Sequence, residues 1–111
     1  MPDDDSTSLI GERLRFGSGF TADDHAKVTE RLSALERRLS GYGDKVDLEI
    51  SVKERDTASQ RVVLDCQIAG QPRSVATSTL PNLDDAITEV REDLIRQLNV
   101  LKTRSEPRRR T

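Results

Sequence analysis

Aromatic residues and cysteines are nearly absent from this chain of 111 residues. Two phenylalanines, one tyrosine and no tryptophan mean that the core must be aliphatic. They also argue against a sheet that stacks RNA bases on aromatic platforms. Cys66 is the only cysteine, which excludes an internal disulfide and a thiolate cluster for zinc. These absences fit a reducing compartment, so we expect a cytoplasmic protein.

Long apolar runs and a basic leader are also missing. No run approaches the roughly 20 residues that span a bilayer, and the acidic residues Asp3 to Asp5 replace the positive start of a signal peptide. The formal net charge is only -2, but acid gathers at the N-terminus and Arg108 to Arg110 make the C-terminus basic. We predict a disordered acidic tail over residues 1–11, one domain over 12–104, and a basic tail over 105–111.

Sequence patterns of an enzyme are lacking as well. His25 is the only histidine, and a lone titratable group has no partner with which to form a catalytic site. The acidic pairs at Asp23 and Asp84 stand at predicted helix starts, where capping explains them without a metal. Gly17 to Gly19 has neither the spacing nor the lysine of a phosphate-binding loop, which favours a flexible connection. We therefore predict no enzyme activity, metal, cofactor or small-molecule substrate.

The pattern between Val28 and Val52 indicates a helix followed by a strand. Apolar residues recur every three or four positions from Val28 to Leu39, and Thr21 with Asp24 resembles a capping box. This predicts a helix that begins near Thr21 and ends at Gly41. From Val46 to Val52 apolar and polar residues then alternate, as in a strand with one buried face.

The remaining elements complete a two-layer domain. We predict short strands at residues 13–16, 62–68 and 75–79, and a long helix capped by Asn82. The fold class is α+β, in the order β-α-β-β-β-α, with a four-stranded sheet and both helices on one face. A right-handed crossover makes the first two strands parallel neighbours. We expect a monomer when the protein is free.

Basic residues follow the flanks of both predicted helices. The candidate contacts with nucleic acid are Lys27, Arg31, Arg37, Arg38, Arg91, Arg96 and Lys102. Such stripes can follow a phosphate backbone, but acidic residues are interleaved with them. Charge alone favours the ordinary interpretation, in which Lys and Arg stems cover the rim of the core.

Two sequence blocks resemble the ribosome hibernation-promoting factor family, in particular its short members. They are VTERLSALERRL, which precedes the alternating strand, and NLDDAITEVREDLIRQLNVLK near the end. The likeness covers roughly Arg13 to Lys102. It implies the same β-α-β-β-β-α fold and a non-enzymatic function. Because 111 residues leave no room for the second, ribosome-pairing domain of the long members, we expect this chain alone not to pair ribosomes.

Members of this family bind the small ribosomal subunit in the channel for mRNA and tRNA. The resemblance implies a translation inhibitor of stress or stationary phase, with 16S rRNA of the small subunit and the 70S ribosome as partners. Arg31, Arg37, Arg96 and Lys102 fall where the family usually has Lys or Arg. Their contacts with rRNA phosphates would release counterions and make binding dependent on salt.

Two alternatives stay open at the level of sequence. A domain that binds double-stranded RNA has a similar order of elements, although Asp84 and Asp85 would repel phosphates at the last helix start. A protein-interaction module without ribosome binding is suggested by Asp93 and Val100, which stand where the family usually has basic residues.

Overall fold

The computed structural model describes residues 9–105, except for the side chains of residues 9, 12, 43, 44 and 101–105. Both predicted tails lie largely outside this range. Within it, the strands are β1 (Leu14–Phe16), β2 (Val46–Lys53), β3 (Arg61–Ile68) and β4 (Ser74–Ser78). The α-helices are α1 (Leu9–Arg13), α2 (His25–Arg31), α3 (Glu36–Leu39) and α4 (Leu83–Ser105).

The described strands form one mixed sheet in the order β1-β2-β3-β4. β1 runs parallel to β2, with Leu14 opposite Leu48, as the right-handed crossover predicts. β2 with β3 and β3 with β4 are antiparallel pairs. The predicted α+β class and strand arrangement are therefore confirmed.

Alternation along the strands decides which face of the sheet is covered. In β2 every second residue from Val46 to Val52 is buried, and β3 does the same from Val62 to Ile68. These side chains meet the apolar faces of the helices in one continuous core. Asp47 and its outward-facing neighbours leave the other side of the sheet exposed or half-buried, so the helices occupy one face, as predicted.

The predicted first helix is a composite of α2, α3 and three 3-10 turns, and we call residues 22–45 the first helical segment. Its start is as expected, because the Asp24 carboxylate accepts hydrogen bonds from the Thr21 N–H at 2.7 Å and the Thr21 hydroxyl at 3.1 Å. Its predicted end at Gly41 is wrong. Gly41 is not left-handed, and a 3-10 turn over Ser40–Lys45 carries the chain directly into β2.

The start of the domain and the loop after β1 also differ from the sequence prediction. Residues 9–11, assigned to the tail, belong to α1, where Ile10 is fully buried and its N–H donates to Glu36 at 3.0 Å. Gly17 donates to the Ile50 carbonyl at 2.7 Å, and Val52 donates to the Ser18 carbonyl at 2.9 Å. The glycine loop is thus an ordered extension of the parallel ladder, since β2 supplies its hydrogen-bond partners.

Helix α4 agrees closely with the helix predicted from the sequence. The Asn82 side chain accepts a hydrogen bond from the Asp85 N–H at 3.0 Å and caps the helix. Buried residues from Ala86 to Leu98 face the sheet. The helix continues through Ser105, the first residue of the predicted tail.

Candidate nucleic-acid interface

The first helical segment and α4 lie side by side on the sheet, and their facing flanks form a groove that we call the seam. Arg91 on α4 reaches across it and donates from Nη1 to the Arg31 carbonyl at 3.0 Å. Farther along, Arg38 Nε donates to Asn99 Oδ1 at 3.4 Å. These contacts bring the two basic flanks together, which the sequence alone does not indicate.

At the α4 N-terminus a carboxylate partly offsets the positive charge of the seam. Asp84 Oδ1 lies 3.7 Å from Lys27 Nζ, and Asp84 Oδ2 lies 3.5 Å from Arg31 Nη2. Arg31 Nε is buried and has no hydrogen-bond partner among the described residues. The two cations therefore share one anion at this end of the seam.

Acidic neighbours also accompany the two candidate arginines in the middle of α4. Arg91 Nη2 lies 2.8 Å from Glu92 Oε2. Arg96 Nη2 lies 3.1 Å from Asp93 Oδ1, and 70% of its side chain is exposed. Asp93 also accepts from Gln97, which donates to the Val75 carbonyl of β4 at 2.8 Å. Arg96 thus projects toward solvent, and its contact among the described residues is with Asp93 and not across the seam.

Arg37 and Arg38 differ from the other candidates whose side chains are described, because neither forms an ion pair with a carboxylate among the described residues. Both are exposed and lie in α3. They line a cavity of about 340 Å³ together with Tyr42, Leu98 and Asn99. We call this feature the arginine cavity. The side chain of Lys102, the last candidate, lies outside the described residues.

Tyr42 and Asn99 are the functional candidates that sequence reasoning missed. Tyr42 follows Arg38 by four positions, so the helical spacing would have placed them together if the helix had not been ended at Gly41. Asn99 is an uncharged residue on α4, and only the packing of the two helices shows that it faces Arg38. The first signal was present in the sequence, whereas the second depends on tertiary structure.

The other face of the sheet carries charges of both signs. Arg15 Nη2 lies 2.8 Å from Asp47 Oδ1, and Arg73 Nε lies 3.4 Å from Asp65 Oδ1. Lys53 and Arg61 are cross-strand partners at one end of this face, and both are exposed. This face therefore supplies matched positions for control substitutions.

The sole histidine belongs to a small aromatic cluster beside the start of the first helical segment. The rings of His25 and Phe16 stack with centroids 3.9 Å apart, and Phe16 meets Phe20 edge to face at 5.6 Å. Arg55 binds Asp24 through two nitrogens, at 2.8 and 3.1 Å, and lies over the Phe20 ring. This Arg55 contact, with the Thr21 N–H bond second, holds the pKa of Asp24 well below its usual range.

Cys66 lies on the buried face of β3 and is 1% exposed. Burial, with smaller contributions from the charges of Asp65 and Asp47, raises the pKa of its thiol to about 12. The thiol is therefore protonated near neutral pH. Its environment is that of a small core residue, as the alternation of β3 predicts.

Two classes of site are missing from the described residues. Between residues 9 and 105, no helix has both the length and the apolar character needed to cross a membrane. Within the same range, His, Cys, Asp and Glu side chains nowhere gather in threes that could hold a metal ion. Comparison with protein-family models and with curated proteins gives no match to this chain.

Proposed function

We propose that this protein inhibits translation by binding the RNA of the small ribosomal subunit through its helical face. The proposed site is the channel for mRNA and tRNA, the setting is stress or stationary phase, and the free protein is a cytoplasmic monomer. The role is one of binding and uses no catalytic residue. Its basis is the resemblance of the two helical blocks to the hibernation-promoting factor family.

The observation that carries the proposal is the uncompensated charge of Arg37 and Arg38. These guanidinium groups have no carboxylate partner among the described residues, so they can bind phosphates without first breaking an ion pair. Lys27, Arg31 and Arg91 continue the basic character along the seam, although Asp84 and Glu92 offset it. RNA that follows the seam would thus be held most strongly at the arginine cavity.

The proposal is tested by sedimentation of the purified full chain with 30S and 70S particles at two salt concentrations. Arg37→Glu with Arg38→Glu reverses two exposed charges on the helical face. We expect this double variant to lose at least about tenfold in affinity, since charge-assisted hydrogen bonds contribute about 1.5–3 kcal/mol each. Wild-type binding should weaken as salt is raised.

The matched control reverses two exposed cations on the opposite face, Lys53→Glu with Arg61→Glu. It makes the same change in net charge, and we expect its ribosome affinity to stay within about twofold of wild type. Urea unfolding of both variants checks that the fold is intact. Wild-type protein that stays at the top of the gradient at both salt concentrations would overturn the proposal.

The two alternatives predict different outcomes. A duplex-binding domain would shift a plain RNA duplex as readily as it binds 30S particles, but Asp84 and Asp85 present carboxylates at the α4 N-terminus. A protein-interaction module would sediment with neither particle. The uncompensated arginines favour the ribosomal RNA proposal over this module.

A further inference from the structure

The arginine cavity has a chemistry different from that of the rest of the seam. Its described lining combines two guanidinium groups, a phenol ring, an amide and one aliphatic side chain, from Arg37, Arg38, Tyr42, Asn99 and Leu98. No carboxylate lines it among the described residues. A ligand with a negative group and a flat, partly apolar body would match this lining.

Arg38 is oriented for a ligand with two acceptor oxygens. Its Nε is directed toward Asn99 Oδ1, at a long 3.4 Å, while its two terminal nitrogens have no carboxylate partner among the described residues. A guanidinium fork of this kind suits a phosphate, which accepts two parallel hydrogen bonds. Arg37, on the same cavity wall, supplies a second positive charge.

Tyr42 supplies a surface for the flat part of the ligand. The ring is half-buried against the core and also lines the cavity. It is therefore held in place by packing, which lowers the entropy lost when a base stacks on it. Leu98, 6% exposed, adds an apolar wall from α4.

The size of the cavity limits the ligand to about one nucleotide. Its 340 Å³ is at the lower end of the roughly 300–1,000 Å³ found for small-molecule pockets. An isolated phosphate would leave Tyr42 and Leu98 unused. A longer stretch of RNA would have to leave the cavity and follow the seam.

We propose that the arginine cavity binds one unpaired nucleotide of single-stranded RNA, with its phosphate on Arg37 and Arg38 and its base against Tyr42. This inference rests on the proposed function, because it specifies how the helical face would hold RNA. It adds a base contact to what would otherwise be phosphate binding alone. The single-stranded requirement follows from the base, which is accessible to a side chain only when it is unstacked.

The fluorescence of Tyr42 gives a direct test, because the chain has one tyrosine and no tryptophan. We expect a short single-stranded RNA to quench this emission in the full-length protein, after correction for absorption by the bases. The same sugar-phosphate backbone without bases should bind more weakly and leave the emission nearly unchanged. Equal quenching by both polymers would overturn the base contact.

Substitutions separate the base from the phosphate. Binding of a fluorescein-labelled single-stranded RNA should weaken by about tenfold in Tyr42→Leu, with an unchanged salt dependence. Arg38→Gln should lower the slope of log affinity against log salt by about one. Tyr42→Phe keeps the ring and should bind as wild type does. The test therefore does not depend on the stability of the leucine variant alone. Arg61→Gln on the opposite face is the control.

Competition distinguishes the sources of the ligand. Unlabelled RNA should displace the probe at far lower concentration than AMP or inorganic phosphate. Displacement by AMP at the concentration at which RNA competes would identify a free nucleotide as the ligand and overturn the assignment to RNA. Displacement by inorganic phosphate at that concentration would reduce the cavity to an anion site.

Sedimentation with 30S particles keeps this inference separate from the proposed function. If wild type and Tyr42→Leu bind 30S particles equally well, the nucleotide site is overturned while the ribosomal proposal stands. If single-stranded RNA quenches Tyr42 but the protein does not sediment with 30S particles, the nucleotide site stands and the ribosomal proposal falls.

Discussion

Asp24 is a single residue whose carboxylate joins three parts of the chain. It accepts hydrogen bonds from the Thr21 N–H and from both terminal nitrogens of Arg55, which also donates to the Gly19 carbonyl at 2.9 Å. Only 16% of the Asp24 side chain is exposed. The start of the first helical segment is thus tied to the end of β2 through one charged group.

Replacement of Asp24 by Asn should lower the free energy of unfolding by about 1–2 kcal/mol at pH 7, because a charge-assisted contact becomes neutral. The pKa of Asp24 lies below its unfolded value near 3.9. Its stabilisation is therefore present above about pH 4 and is lost as pH falls toward the folded pKa. Urea unfolding between neutral and acid pH should show a weaker acid loss in Asp24→Asn.

The neighbouring Asp23→Asn variant is the control for this measurement. Asp23 is exposed and shares the first turn, but among the described residues Arg55 contacts Asp24 and not Asp23. We expect its unfolding curve to follow that of wild type at each pH. A free energy of unfolding for Asp24→Asn that matches Asp23→Asn at pH 7 would contradict the role given to the Arg55 contact.

At the scale of elements, the sequence predicts what depends on long, regular patterns. The alternation from Val46 to Val52 identifies β2, and Asn82 identifies the start of α4. The sequence of β4 does not indicate which face is buried, because small polar Ser74 and Ser78 are buried while Val75 is 43% exposed. Hydrophobicity gives no signal there, since the buried side is chosen by contact with α4.

The candidate site was predictable only in part, for a related physical reason. Helical spacing puts Arg31 and Arg38 on one flank, but the partner of each cation depends on how two helices pack. Asp84 and Asn99 are distant from those arginines in sequence, and the seam brings them within reach. The end of the first helical segment was misplaced because Gly41 has no positive φ and continues the helical turns.

A pair of glycine substitutions tests these backbone roles. Gly19 has φ +92°, and a Cβ there would overlap the carbonyl of Val52. Gly19→Ala should therefore lower the free energy of unfolding by about 2 kcal/mol or more. Gly41 has open space around its Cβ position, so Gly41→Ala should raise stability by up to about 1 kcal/mol. Urea unfolding of the two variants measures both effects.

The comparison is informative because the chemical change is the same in both variants. A loss in Gly41→Ala as large as that in Gly19→Ala would mean that Gly41 ends the first helical segment in a left-handed conformation after all. Equal, small effects would instead mean that the loop after β1 can move away from β2.

At the scale of the whole molecule, the two faces of the sheet distribute charge differently. The open face pairs Arg15 with Asp47 and Arg73 with Asp65, whereas the helical face leaves Arg37 and Arg38 uncompensated among the described residues. A formal net charge of -2 is therefore compatible with binding an anion, because the local field at the arginine cavity decides the contact. At the far end of the seam, Asp84 offsets the charges of Lys27 and Arg31.

Replacement of Asp84 by Asn tests this picture of the helical face. Loss of the carboxylate frees Lys27 and Arg31, so we expect affinity for 30S particles or single-stranded RNA to rise by about two- to tenfold. The salt dependence should also steepen by about one or two in slope. The free energy of unfolding should fall by about 0.5 kcal/mol, because a negative charge is lost from the first turn of α4. Binding titrations and urea unfolding measure the two effects.

Asp85→Asn is the matched control, since it removes the same charge from the same helical turn. Asp85 forms no ion pair with Lys27 or Arg31 within residues 9–105, so its removal should cost similar stability with a much smaller gain in affinity. Equal gains in the two variants would mean that RNA responds to net charge alone. A gain confined to Asp84→Asn would extend the interface from the arginine cavity to the start of α4, because only those two cations would have been released.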